Sequence, residues 1–181
     1  MIAEIVVLGV CALVVFAWCG IGLAVLIDAF RADVWFVPTR DHALEPVLKA
    51  LDLSPGDILY DLGCGDAKIL AAARQRVPVA RYVGIEKGLI PYSMGRFRRR
   101  NGIELRFEDL AGANISDATH IYLYLSPSVL AKIEEKVFSE AQRGTRIVSC
   151  SFEFRNHDPV AHVPIETTSP LARELFVYEV L

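Results

Sequence analysis

Asp61, Gly63, Gly65 and Glu86 are the residues of this 181-residue chain whose types and spacing best define a chemistry. The run Ile58-Leu59-Tyr60-Asp61-Leu62-Gly63-Cys64-Gly65-Asp66-Ala67-Lys68 reads as an apolar strand that ends in an acid and enters a glycine-rich turn. Glycines at 63 and 65 let the backbone approach a ligand closely and take up conformations that other residues resist. A helix opening just after the turn presents its free N–H groups and the positive end of its dipole. Glu86 closes the next strand, Tyr82-Val83-Gly84-Ile85-Glu86, 21 residues after Gly65. A carboxylate there can accept the hydroxyls of a ribose. An acid-rich corner of this kind suits a cationic nucleoside. S-adenosylmethionine (SAM) has a sulfonium and an ammonium group, and Asp61 would face that portion. A nicotinamide dinucleotide fits less well. Its Gly-x-Gly-x-x-Gly fingerprint needs a third glycine where Lys68 stands, and Asp61 would lie beside a pyrophosphate. The remaining reading is a glycine turn of a Rossmann-like fold that binds nothing. A third acid, Asp109, follows the next strand in Phe107-Glu108-Asp109-Leu110 and can accept the adenine amino group.

The surrounding pattern must hold these residues at the ends of strands. Asp41–Leu51 is predicted as a helix from Leu44, Val47, Leu48 and Leu51. Thr39 or Asp41 is the expected cap, and Pro46 is an awkward fit. Strands are predicted at Ile58–Leu62, Arg81–Glu86, Ile103–Phe107, Ala118–Leu125 and Thr145–Phe152. Helices are predicted between them at Ala67–Gln75, Leu89–Arg100 and from Pro127 to about Ala141. Alternating units of this kind imply a parallel sheet covered on both faces. The last runs, Val160–Glu166 and Glu174–Val180, are predicted to pair antiparallel through Thr167–Arg173. The expected fold is α/β, a Rossmann-like sheet of the class I SAM-methyltransferase type with a C-terminal antiparallel hairpin, preceded by one transmembrane helix.

That helix is the reading of the 23 positions from Ile5 to Ile27, which contain no charged residue. As a helix they extend about 34 Å, enough for a hydrocarbon core of about 30 Å. A cleaved signal peptide would want a basic start and a shorter apolar core, whereas this chain has Glu4 and no Lys or Arg before the run. The domain boundaries expected are an anchor over residues 1–30 and a SAM-binding domain over 31–181. Arg31, Arg40 and Lys49 follow the span, which places the C-terminal domain on the cytosolic side, or the matrix side in a mitochondrion. Trp35 and Phe36 suit either a membrane interface or ordinary packing. The arginines at 96, 98, 99 and 100 read as a solvated helix end or as a contact for anionic lipid. Cys11, Cys19, Cys64 and Cys150 form no disulfide framework and read as small apolar residues. The net charge of −3 argues against nucleic acid as the main partner. His42, His120, His157 and His162 have no metal-ligand spacing, so no metal is expected, and His157 and His162 are expected at the surface.

The stretches Phe36-Val37-Pro38-Thr39, Asp61-Leu62-Gly63-Cys64-Gly65-Asp66, Gly84-Ile85-Glu86 and Tyr122-Leu123-Tyr124-Leu125-Ser126-Pro127 resemble the membrane-anchored lysine methyltransferases. That family includes the enzymes for the adenine nucleotide translocase and the ATP synthase c-subunit. The resemblance runs from about Trp35 to the C-terminus. It implies SAM-dependent N-methylation of a lysine on a membrane or membrane-associated protein. Carried over by position, the cofactor-binding set is Thr39 (at the methionine end), Asp61, Gly63, Cys64, Gly65, Glu86 and Asp109. Relatives have Gly-Asp-Gly-Arg where this chain has Gly65-Asp66-Ala67-Lys68, and an apolar residue is common where Ser126 stands.

Methyl transfer needs nucleophile and sulfonium aligned at near-attack distance. An acceptor lysine must also lose its proton, which a desolvated channel favours. Tyr124 and Ser126, at the end of the fourth strand, are the candidate catalytic residues that shape this channel. Two alternatives stand: a methyltransferase for a small molecule or lipid, and a SAM-binding protein without catalysis.

Overall fold

The computed structural model describes residues 2–31, 37–98 and 102–181, and side chains within them except at 2–5, 24–31 and 98. The chain divides into two compact units, Met1–Trp35 and Phe36–Leu181. The first is the helix α1 (Ile2–Arg31), whose stretch Val6–Leu23 is long and apolar enough to cross a membrane. The side chains of Val6–Leu23 are exposed. Trp35, Phe36, Arg99 and Arg100 lie outside the described residues.

The second unit runs α2 (Asp41–Leu51), β1 (Ile58–Leu62), α3 (Lys68–Arg76), β2 (Arg81–Glu86), α4 (Leu89–Arg98), β3 (Ile103–Phe107), β4 (His120–Leu123), α5 (Pro127–Glu140), β5 (Arg146–Cys150), β6 (Ala161–Pro164) and β7 (Glu174–Glu179). The seven strands form one sheet in the order β3-β2-β1-β4-β5-β7-β6. β1 to β5 are parallel to one another, and β7 runs antiparallel between β5 and β6. The expected class I sheet with its antiparallel C-terminal pair is the observed one. Its strand order reverses between β1 and β4, and ligands bind at the carboxyl ends beside such a switch.

Successive strand residues point to opposite faces, so β1 feeds two cores. Leu59 joins Ala43, Val47, Leu51, Ile69 and Leu70 under α2 and α3. Tyr60 and Leu62 join Ile121, Leu123, Leu130, Ile133 and Val137 under α5. Central strands buried on both faces read as apolar runs, which is why β1 and β2 fall where the sequence predicts; β3, at the sheet edge, instead alternates, with Ile103 and Leu105 buried and Glu104 exposed. α2 also begins and ends as predicted, with Pro46 inside it. Its N-cap is Arg40, and no side chain makes a capping hydrogen bond, contrary to the expectation for Thr39 or Asp41.

Several boundaries differ, β6 among them, which is Ala161–Pro164 rather than Val160–Glu166. α3 starts at Lys68 because Ala67 is left-handed (φ 59°, ψ 28°), outside the helical region. β4 is shorter than Ala118–Leu125: pairing to β5 ends at Leu123↔Ser149, and Ala118 bonds back to the Ile115 carbonyl in a turn. β5 stops at Cys150 because Ser151 has φ 69°. His157 is also not a simple surface residue. Its ring stacks 3.5 Å from that of Phe138, and its Nδ1 lies 3.0 Å from Glu134 Oε1. His162 stacks on Phe176 beside Glu174.

Candidate functional site

The carboxyl ends of β1 and β2 bring the predicted acids and glycines together. The N–H groups of Gly63 and Cys64 both donate to the Ile85 carbonyl, at 2.9 and 3.0 Å. The Ala67 N–H donates to the Cys64 carbonyl at 2.8 Å. The turn is thus folded by its own backbone. Gly63 has φ +80°, and a Cβ there would lie 2.7 Å from Leu125 Cδ2, so the residue must be glycine for both reasons. Gly95 of α4 plays a matching part: a Cβ on it would meet the Gly65 carbonyl at 3.1 Å.

Glu86 ties the corner together. Its Oε2 accepts the Gly65 N–H at 2.9 Å and its Oε1 the Gly88 N–H at 2.7 Å. A carboxylate is an acceptor with several lone-pair sites, the kind of group that takes ribose hydroxyls. Asp61 is 3% exposed and makes no hydrogen bond or ion pair among the described residues. Burial pushes its pKa well above the usual carboxylate range, and the nearby Glu86 and Asp66 push it further. Such an acid is poised for a cation brought by a ligand. That is the test a sulfonium–ammonium ligand must pass here, and the residues fit it.

Cys64 takes part through its backbone. Its thiol is buried, points at Gly84, and has its pKa raised well above the usual value by burial first and by Asp61 next. Asp109 has a different situation. Its side chain is 61% exposed, its Oδ1 accepts the Ala111 N–H at 2.9 Å, and Lys87 Nζ lies 3.7 Å from Oδ2. The neighbouring Glu108 has the buried oxygen without a hydrogen bond, Oε1, 4.0 Å from Arg106. The sequence reading did not single out Glu108.

Thr39 reaches the corner through Lys68. The Lys68 ammonium donates to the Thr39 carbonyl at 2.8 Å and pairs with Asp41 at 2.5 Å. The segment before α2 is therefore pinned to the first turn of α3. Lys68 was legible only as a departure from the family pattern, and its tethering role needs the tertiary contact. Tyr122, also missed, pairs in register with Asp61 across β1 and β4, and its buried hydroxyl has no hydrogen-bond partner among the described residues. The signal in the sequence was a tyrosine between two aliphatic residues, Ile121 and Leu123, of a central strand.

Tyr124 and Ser126 lie just past the end of β4. The Tyr124 ring is half-buried against the α2–α3 core, and its pKa is raised chiefly by burial, with Ser151 and the Ala172 backbone near its hydroxyl drawing it back. Ser126 is the N-cap of α5. Its carbonyl accepts the Leu130 N–H at 2.9 Å, and its Oγ lies 3.0 Å from Ser128 Oγ. Ser126 thus starts a helix, whatever else it does.

A profile of the family described as the ANTKMT methyltransferase domain matches residues 61–161. A protein-lysine N-methyltransferase of Saccharolobus islandicus (strain REY15A) is 31% identical over 144 residues, 76% of this chain and 89% of that protein. The adenine nucleotide translocase lysine N-methyltransferase of Mus musculus is 33% identical over 140 residues, 74% of this chain and 59% of that longer protein. Among solved structures, an RNA methyltransferase from Salinibacter ruber in complex with S-adenosyl-L-homocysteine superposes with a TM-score of 0.73. It is 32% identical, over 80% of this chain and 94% of that one.

Proposed function

Because this chain belongs to the ANTKMT methyltransferase domain family, and so is a SAM-dependent methyltransferase, we propose that it N-methylates a lysine side chain of a protein in or at a membrane. The observation that carries the reading is the Asp61–Gly65–Glu86 corner at the β1–β4 switch point, in a chain whose relatives bear that activity in their names.

When bound, SAM supplies a methyl group activated by its sulfonium. Glu86 holds the ribose, and Asp61 faces the cationic end. Gly63, Cys64 and Gly65 supply the close-fitting backbone, Thr39 lies at the methionine end, and Asp109 stands toward the adenine. Tyr124 and Ser126 shape the acceptor channel. The Tyr124 phenol, kept protonated by burial, orients an incoming amine through its oxygen. A lysine entering that half-buried channel loses hydration, which lowers its pKa from the ordinary value of about 10.4 and favours the neutral nucleophile.

The membrane part of the reading rests on α1. A single span over residues 5–27, with the catalytic unit on the cytosolic or matrix side, holds the enzyme at high local concentration beside a membrane acceptor. Radiolabelled methyl transfer from SAM into fractionated cell extracts tests the acceptor class. Label in protein that survives nuclease and lipid extraction, and that hydrolyses to methyl-lysine, is the expected result. Label in RNA or lipid overturns it. Deleting residues 2–31 is expected to leave SAM binding intact and to lower methylation in membranes; equal methylation by both forms overturns the tethering.

A further inference from the structure

Asp61 and Tyr122 are neighbours in register on adjacent parallel strands, and neither makes a side-chain hydrogen bond among the described residues. Residues paired in this way point to the same face, here the one under α2 and α3 that also holds Leu59 and Cys150. Tyr122 is 1% exposed, and its hydroxyl is shut off from solvent without a hydrogen bond. Thr39 and the Cys150 thiol are its polar neighbours and interact with it electrostatically, but neither makes a hydrogen bond of ordinary geometry to it. A phenylalanine would fill this core space equally well with no stranded oxygen, so packing alone does not account for the tyrosine. Burial and the nearby Cys150 and Asp61 raise the phenol's pKa, so the hydroxyl keeps its proton and is a neutral donor. Backbone strain marks the same spot. Ser151, directly after Cys150, is left-handed at φ 69°, as is the buried Ala172 at φ 53° beside the Tyr124 hydroxyl. Strain of this kind persists where the surroundings over-determine it, and it clusters at ligand sites.

A buried acid that lacks a cation, next to a buried donor that lacks an acceptor, matches a ligand with both charges close together. The α-amino-acid end of SAM is such a group. We propose that Tyr122 is a specificity-determining residue for that end: its hydroxyl donates to the cofactor's carboxylate, while Asp61 receives the ammonium. The inference rests on the reading of this corner as the SAM site. Thr39, pinned by Lys68 against the same hydroxyl, closes the subsite from the α2 side.

The test compares SAM with decarboxylated SAM, which keeps the sulfonium and the amine and lacks only the carboxylate. Calorimetry on the full chain in detergent micelles, wild type and Tyr122→Phe, reads both affinities, and thermal unfolding without ligand confirms the fold. Wild type is expected to prefer SAM by about 10-fold or more, the size of a charge-assisted hydrogen bond. Tyr122→Phe is expected to lose most of that preference by weakening SAM alone, with an unfolding midpoint no lower than wild type. A variant that weakens both ligands equally, or neither, overturns the proposal and leaves the cofactor site standing. A wild-type chain that binds no SAM overturns both.

Discussion

The two faces of one sheet treat buried polar groups in opposite ways. Under α5, Glu134 is 4% exposed yet fully answered. The Asn156 N–H donates to Oε1 at 2.6 Å, Asn156 Nδ2 donates to Oε2 at 3.3 Å, and His157 sits 3.0 Å away. The His157 ring stacks on Phe138, which meets Phe154 and Tyr178 edge-on. Burial raises the pKa of Glu134, but His157 and the amides of Asn156 and Arg155 outweigh it and hold the carboxyl below its usual value. Under α2 and α3, Asp61 is buried without partners among the described residues and its pKa is driven up. Tyr122 has an unanswered hydroxyl on the same face. Three of the four left-handed non-glycine residues among those described, Ala67, Ser151 and Ala172, are gathered at this end. One face is arranged for the fold alone. The other is left incomplete in ways that a ligand would complete, which is how binding and catalytic sites come to cost stability.

The contrast makes its strongest claim at Glu86. Glu86→Ala removes the proposed acceptor for ribose and the clamp between the Gly65 and Gly88 loops. SAM affinity measured by calorimetry is expected to fall at least about 100-fold, as for the loss of two hydrogen bonds to a charged group. Asp61→Asn should move two readouts in opposite directions. SAM affinity falls by about 10-fold or more, since a charge-assisted contact is lost. The ligand-free fold, however, melts higher at pH 7. The sign follows from the raised pKa: the neutral carboxyl is accommodated below the unfolded value of 3.8, and that advantage is lost as pH rises through the folded value. The gain in melting temperature should therefore shrink at acid pH. An asparagine variant that melts lower at pH 7 would break the contrast.

Glu134→Gln is the converse. It should cost about 1–3 kcal/mol at neutral pH, or roughly 2–10 °C in the unfolding midpoint. SAM affinity should stay within about twofold, because the site is on the other face. The depressed pKa means that the Glu134 contribution is present above the unfolded value of 4.5 and is lost as pH falls through the folded one. The wild-type advantage over the glutamine variant should accordingly disappear in acid. Ala67→Gly is the smallest effect. Relief of the left-handed alanine is worth about 1 kcal/mol, and loss of its buried methyl about 0.8 kcal/mol in the other direction. Urea unfolding should show a shift of less than about 1 kcal/mol. A larger loss would mean that the methyl is a wall of the site rather than a tolerated substitution.

Much of the fold was legible because its signals are local. Apolar runs between turn residues gave β1 and β2, the 3.6-residue pattern gave α2, and glycines 63 and 65 beside two strand-end acids gave the cofactor corner. The helix start at Lys68 was misread because an alanine gives no warning of a left-handed conformation that relatives meet with glycine. The different settings of Glu108 and Asp109 were also hidden. Both are acids after a strand, and only the folded chain spends Asp109 on the Ala111 amide and buries an oxygen of Glu108.

By itself, the sequence determined the sheet, the cofactor class and the family, since these follow from residue types and their spacing along the chain. The tertiary structure decided which groups meet: Lys68 with Thr39, Asp61 with Tyr122, and Glu134 with His157. Those contacts join residues far apart in the chain, and whether a buried polar group is answered or left for a ligand depends on what the fold packs around it.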